Sequence, residues 1–144
     1  MDMRSEQGYW QKAKGFINHN LTLHDQAQLV IYFGDKSHLE GKEFYDDLKK
    51  TYPKAHIVGC STGGEILHGE VIDEQCVFSA MAFDHTSIHT ATSPIKAADS
   101  YKVGEYLAKS LSTHSDLTAI FILSDGLDVN GSELVRGING GLGE

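Results

Sequence analysis

The chain has 144 residues, of which 40% are hydrophobic and 22% are charged, a size and composition typical of one globular domain. Its net charge of −8 argues against nucleic acids and anionic membranes as partners, because both bind basic surfaces. The sequence has neither a signal peptide nor an apolar run near the ~20 residues that cross a bilayer, and it has only two cysteines, so we expect a cytoplasmic protein.

Hydrophobic periodicity and turn residues predict the following elements. Alternating or continuous β-branched residues indicate strands, and apolar residues at helical spacing between caps indicate helices. We expect Ser37 and Asn130 to cap helices, each with a glutamate three residues later. In chain order the predictions are a frayed start (1–8), a short helix (9–18), a strand (27–34), a helix (37–52), a strand (55–61), a hairpin (76–83 with 87–93), a helix (99–113), a strand (117–126) and a helix from residue 130.

This order predicts an α/β fold, a layered domain with a mixed β-sheet flanked by helices. The last helix is not followed by a strand, so we expect either that it covers a face of the sheet or that the domain is incomplete.

Residues 59–63, "GCSTG", match the nucleophile-elbow pattern G-x-S-x-G, which makes Ser61 a candidate hydrolase nucleophile. An elbow leads directly into a helix, whereas the glycines and β-branched residues that follow are poor helix formers. His114 also precedes Asp125, the reverse of the usual acid-then-histidine order. Cys60 is the weaker nucleophile candidate. The alternative is a glycine turn between two strands, which is compatible with ligand contact.

A second polar turn, "SDGLDVNGS" at 124–132, follows a predicted strand and precedes a helix. If both strands are parallel, the two turns lie at the carboxyl ends of strands in one sheet, where α/β folds bind ligands. Glycines allow close backbone approach, hydroxyls and helix N-terminal N–H groups bind anions, and carboxylates bind an amine or cation. A plain connector remains the alternative. The candidate ligand contacts are Gly59, Cys60, Ser61, Thr62, Gly63, Gly64, Glu65, Ser124, Asp125, Gly126, Asp128, Asn130, Gly131 and Ser132.

The sequence has no metal-binding motif, P-loop or dinucleotide fingerprint. Its eight histidines include His85 and His89, but the predicted turn and strand do not bring their rings together. A haem axial ligand needs only one histidine in an apolar pocket, so haem stays open as a cofactor.

Together, "IVGCSTGGEI" at 57–66 and "FILSDGLDVNGSELVRGIN" at 121–139 resemble the FIST N-terminal domain, an intracellular sensory module of signal transduction. The resemblance runs from about Gln28 to the last residue. It implies a sensor for small ligands such as amino acids, found beside signalling output domains, and some relatives bind haem and respond to nitric oxide. The residues that match the family motif are Gly59, Cys60, Ser61, Gly64, Glu65, Ser124, Asp125, Gly126, Asn130 and Gly131.

We therefore expect residues 1–144 to form one cytoplasmic, non-catalytic sensory domain for amino acids or related metabolites. The C-terminal part of the family architecture does not follow, so we expect either a fragment or reliance on a partner chain. The expected partners are a small-molecule ligand and a signalling output protein, and a homo-oligomer is compatible with the sequence. The alternatives are a haem-binding nitric oxide sensor, a Ser/Cys hydrolase that uses the "GCSTG" turn, and a scaffold module.

Overall fold

The structure is a computed structural model that describes residues 3–17, 20–67, 69–72 and 75–143. The chain divides into two compact units, Met1–Ile88 and His89–Glu144.

The described residues form seven strands and four α-helices, with short 3-10 turns at His24–Gln26 and Ala97–Asp99. They are β1 (Met3–Gln11), β2 (Gly15–Phe16), β3 (Leu29–Gly34), α1 (Lys36–Leu39), α2 (Glu43–Thr51), β4 (His56–Ser61), β5 (Glu65–Leu67), β6 (Glu70–Ile72), β7 (Cys76–Phe83), α3 (Ser100–Leu111) and α4 (Gly131–Leu142). Among these described helices, none is long and apolar enough to span a membrane.

The first unit contains a mixed five-stranded sheet in the order β2-β1-β7-β3-β4. Strands β3 and β4 are parallel, with Leu29 opposite His56 and Gly34 opposite Ser61. Strand β7 runs antiparallel to both of its neighbours, β1 and β3. The sheet and helices confirm the predicted α/β fold with a mixed sheet, and the predicted strands at 27–34, 55–61 and 76–83 are confirmed as β3, β4 and β7.

The core of this unit lies between the sheet and helix α2. Phe44 and Leu48, spaced one helical turn apart, are buried with Tyr52 just beyond the helix. On the sheet, Val30 and Phe78 belong to the same buried cluster. Strand β7 buries alternate residues on this side, which is the period-two pattern that made it predictable.

Strand β1 corrects two predictions, the frayed start at 1–8 and the helix at 9–18. From Met3 onward the chain pairs with β7, with Gly8 opposite Phe78 and Trp10 opposite Cys76. Trp10 is buried, and its indole N–H donates to Asp47 Oδ2 at 2.8 Å. This long-range pairing and the burial of Trp10 outweigh the weak helical periodicity of the segment.

The predicted hairpin of 76–83 with 87–93 is wrong, because residues 87–93 form no strand. Both edges of β7 are already taken by β1 and β3, so no free edge remains for a following strand.

The predicted helix at 37–52 is split into α1 and α2 around Gly41, whose high backbone entropy disfavours a helix interior. Ser37 is not the cap. Instead, Asp35 Oδ1 accepts the Ser37 backbone N–H at 2.8 Å and caps α1.

The second unit is built on the packing of α3 against α4, which confirms the helices predicted at 99–113 and from residue 130. The helices approach closely at two glycines. A methyl group at Gly104 would meet the carbonyl of Leu134, and one at Gly137 would meet the carbonyl of Tyr101. Close contact of the two backbones therefore requires glycine at both positions.

The strand predicted at 117–126 is absent from the structure. None of the described residues 89–143 forms a strand, so this apolar run has no ladder partner within its unit. Ile120 packs against the helix pair, whereas Phe121 stays 65% exposed. Hydrophobicity alone identified a strand-like segment but did not supply the partner that a strand needs.

Candidate functional site

The first predicted loop lies at the carboxyl edge of the parallel strands β3 and β4. Strand β4 ends at Ser61, and the Thr62 backbone N–H donates to the carbonyl of Gly34, the last residue of β3, at 3.1 Å. The loop 62–64 then leads into β5, which pairs antiparallel with β6. The sequence thus places polar loop residues at the edge where α/β sheets bind ligands.

The chain after Ser61 turns into a strand, not a helix. A nucleophile elbow needs its helix directly after the serine, and β5 begins at Glu65 instead. The local geometry is therefore the glycine turn between two strands that was the alternative to the hydrolase interpretation.

Two glycines of this edge serve packing within the protein. A methyl group at Gly59 would meet the Tyr32 ring and carbonyl on the neighbouring strand. A methyl group at Gly34 would lie 2.6 Å from Cys76 Sγ. By contrast, nothing lies within 4 Å of a methyl group at Gly63. Of these three glycines, Gly63 is the one with open space in front of it.

Glu65 is the most unusual residue of the loop, because a carboxylate is rarely buried without a charged partner. Its side chain is 2% exposed, and its Oε1 accepts a hydrogen bond of 2.9 Å from the Thr62 hydroxyl. Within residues 3–17, 20–67, 69–72 and 75–143, no basic side chain forms an ion pair with it. A positively charged or N–H-donating group would therefore be strongly favoured beside Glu65.

Cys76 lies beside this carboxylate at the start of β7. Burial raises the pKa of its thiol to about 12, with additional contributions from the negative charges of Glu65 and Asp35. The thiol is therefore protonated at neutral pH and is a poor nucleophile. The same two carboxylates thus place negative charge near Cys76.

Two residues that the sequence interpretation missed also belong to this edge. The backbone N–H of Asp35 donates to the carbonyl of Gln75 at 3.1 Å. The side-chain Oε1 of Gln75 is buried and has no hydrogen-bond partner among the described residues. Asp35 directly follows a predicted strand, which was a usable signal. Gln75 reaches the edge only through the pairing of β7 with β3, which no local pattern shows.

The second predicted loop lies in the other unit and has its own hydrogen bonds. Asp125 Oδ1 accepts the backbone N–H groups of Leu127 and Asp128 at 2.6 and 3.0 Å. These bonds hold the pKa of Asp125 below its ordinary value. Asn130 Oδ1 accepts the Glu133 N–H at 3.2 Å and caps α4 as predicted. Asp125 and Asn130 thus both order the loop and the helix start.

The remaining residues of the second loop are exposed on their unit, so they are accessible for contact. They are Ser124, Gly126, Asp128, Gly131 and Ser132. Because 117–126 is not a strand, the strand-end reason for placing a ligand here no longer applies. A ligand role for the second loop stays a prediction.

Histidines form no metal centre in the described part of the chain, where no group of three or more potential ligand side chains occurs. His89 and His114 stack instead, with ring centroids 3.5 Å apart and an interplanar angle of 11°. His19 and His68 lie outside the described residues.

The family profile of the FIST N domain matches residues 28–144. The chain belongs to the FIST N domain family. The resemblance noted in the two loop motifs is thereby confirmed, and the family is one of sensory domains in signal transduction. No curated protein and no solved structure matches this FIST N domain chain.

Proposed function

We propose that this FIST N domain binds a small amine-bearing metabolite, an amino acid or a close relative, at the carboxyl edge of β3 and β4. The observation that carries the proposal is the buried Glu65 carboxylate, which has a hydroxyl donor but no cationic partner in the described residues. Burying an unpaired charge is costly, and the ammonium group of a ligand would offset that cost.

Two further features support an amine-bearing ligand at this site. The unpartnered Oε1 of Gln75 offers an acceptor for a ligand N–H group, since buried acceptors without a partner are rare in folded proteins. The open space in front of Gly63 gives a ligand access to the loop backbone. The ligand carboxylate would bind loop N–H groups and the Ser61 hydroxyl.

The bound molecule would act as a signal and not as a substrate. Binding stabilises the conformation with the ordered loop, and the signalling output protein responds to the change in population. Cys76, held as a thiol, is compatible with a non-catalytic site.

A thermal-shift screen of amino acids and simple amines against the full chain tests this proposal. A ligand at 100 times its dissociation constant adds ~2.7 kcal/mol, which raises the melting temperature by about 5–10 °C. Glu65→Gln should abolish the shift, whereas Glu70→Gln, an exposed residue of the same hairpin, should keep it. Absence of any shift with wild type, or equal loss in both variants, would overturn the proposal.

A second candidate function is haem binding in the second unit. His114 borders a groove of about 650 Å³ whose apolar lining includes Ile120, Ile138 and Leu142. In this groove His114 would hold the haem and the apolar side chains would cover it, and haem when bound would supply coordination of a gas such as nitric oxide. Reconstituted wild type should show a Soret band that His114→Ala shifts or removes and His85→Ala leaves unchanged. No Soret band in wild type would eliminate this candidate.

A further inference from the structure

The first unit contains a cavity of about 450 Å³ at the edge of the sheet opposite the Glu65 loop. It lies where β4 begins, at His56, and where β7 ends, at Phe83. Five residue steps along β4 separate His56 from Ser61, which corresponds to roughly 16 Å. The cavity is therefore separate from the site of the proposed function. Its lining residues are Gln28, Lys54, His56, Phe83, Asp84, His85, Thr86, Ser87 and Ile88.

Hydrogen bonds link three of the residues that line this cavity. The Gln28 side chain forms two hydrogen bonds with the backbone of Phe83. Its Nε2 donates to the Phe83 carbonyl at 2.9 Å, and its Oε1 accepts the Phe83 N–H at 2.6 Å. The His56 N–H donates to the Gln28 carbonyl at 2.9 Å. Gln28, Phe83 and His56 thus form a preorganised frame, which reduces the entropy cost of binding a ligand.

The polar lining is rich in groups that bind anions. Lys54 supplies an ammonium group, His56 and His85 supply imidazoles, and Thr86 and Ser87 supply hydroxyls. Asp84 is the one acidic residue of the lining. The chain as a whole is acidic, with a net charge of −8, so this group of basic and hydroxyl side chains differs from the average surface of the protein.

The ion pair of Lys54 leaves its ammonium group available to a ligand. Lys54 Nζ lies 3.1 Å from Asp25 Oδ2, and both side chains are more than half exposed. Exposed pairs of this kind contribute little to stability, so the ammonium group can turn toward the cavity at small cost.

We propose that this cavity is a second ligand site, which binds a small oxyanion, either a carboxylate or a phosphate group. Lys54 and His85 contact the oxyanion, with hydroxyl donation from Thr86 and Ser87. Phe83 and Ile88 form a short apolar wall that accommodates a carbon skeleton next to the anionic group. This site lies at the opposite end of β4 from the proposed amine site. Either of the two proposals can therefore fail without the other.

Titration of the ¹⁵N-labelled full chain with inorganic phosphate, and separately with acetate, tests the proposal by NMR. We expect saturable shifts at the amides of 54–56 and 84–88, with the stronger response to one anion identifying the preferred group. Lys54→Gln should weaken binding about tenfold, which corresponds to ~1.4 kcal/mol.

Lys36→Gln is the matched control, because Lys36 also forms an exposed ion pair, with Glu40 at 3.8 Å, and its loss changes the net charge equally. We expect this variant to bind like wild type. Shifts that do not saturate, shifts spread over all basic residues, or equal weakening by Lys36→Gln and Lys54→Gln would overturn the proposal. Melting temperatures of both variants confirm that they are folded.

Discussion

The Thr62 hydroxyl donates a hydrogen bond of 2.9 Å to the buried carboxylate of Glu65, the first residue of β5. This contact joins the end of a parallel strand to the start of a hairpin. The Glu65 carboxylate forms no ion pair with a basic side chain among the described residues. The loop is thus ordered internally and remains able to bind a cation.

Thr62→Val should destabilise the protein, because it removes the donor and leaves a buried acceptor unsatisfied. The expected loss in the free energy of unfolding is about 1–3 kcal/mol. Urea unfolding measures it, with the exposed Thr118→Val as a control that should stay within about 0.5 kcal/mol of wild type. Equal effects of the two variants would mean that the Thr62–Glu65 hydrogen bond does not contribute to stability.

Alanine substitutions at Gly59, in strand β4, and at Gly63, in the loop, should separate the effect on packing from the effect on ligand access. Gly59→Ala forces a methyl group into the Tyr32 ring and should cost about 1–3 kcal/mol of unfolding free energy. Gly63→Ala meets no atom within 4 Å, so its stability should be close to that of wild type while ligand binding weakens. A destabilised Gly63→Ala variant together with a stable Gly59→Ala variant would contradict both the packing role of Gly59 and the open space at Gly63.

Cys76 should be inert to thiol reagents in the folded protein. Its thiol is buried, with a pKa raised to about 12 by burial and by the charges of Glu65 and Asp35. In a Cys60→Ser variant, where Cys76 is the remaining cysteine, iodoacetamide at pH 8 should label the protein only after unfolding in urea. Labelling at equal rates in the folded and unfolded states would contradict the buried position.

Tyr52 should make stability fall in alkaline solution. Burial, assisted by the hydrogen bond of 2.7 Å that its hydroxyl donates to Glu6, raises the pKa of Tyr52 above its ordinary value. The unfolded chain then loses this proton first, so the stabilisation is complete below about pH 10 and declines above it by up to ~1.4 kcal/mol per pH unit.

Tyr52→Phe should be less stable at neutral pH and should show a shallower alkaline decline than wild type. Chemical denaturation at pH 8, 10 and 11 measures both effects. The exposed Tyr106→Phe is the control, and it should follow the wild-type profile. Identical slopes for wild type and Tyr52→Phe would rule out a contribution from Tyr52.

Local sequence signals predicted the elements whose formation depends on local chemistry. Asn130 caps α4 as its position before a helical pattern indicated, and β7 shows the alternation that its residues predict. Strand β1 was missed because its pairing with β7 is long-range, from Trp10 opposite Cys76 to Met3 opposite Phe83, and no local pattern shows such a partner. The strand expected at 117–126 failed for the related reason that an apolar run does not specify a partner.

In the candidate site too, the features that depend on local sequence were predicted and those that depend on long-range pairing were not. Glu65 was predicted as a carboxylate for an amine, which stays a prediction, whereas the structure does place its loop at the carboxyl ends of the parallel strands, next to Gly34. Its burial was not predictable, because that depends on the fold of the β5–β6 hairpin. Gln75 was missed because only the pairing of β7 with β3 brings it to this edge.

The most direct test of the ligand site is the free energy of unfolding of Glu65→Gln, measured in urea with and without an amino acid that stabilises wild type. If the buried Glu65 carboxylate binds a cationic ligand, the free energy of unfolding of the ligand-free variant should equal that of wild type or exceed it by about 0.5–2 kcal/mol. Added ligand should not change the free energy of unfolding of the variant. A variant that loses stability yet responds to the ligand as wild type does would contradict the assignment of Glu65 to ligand binding.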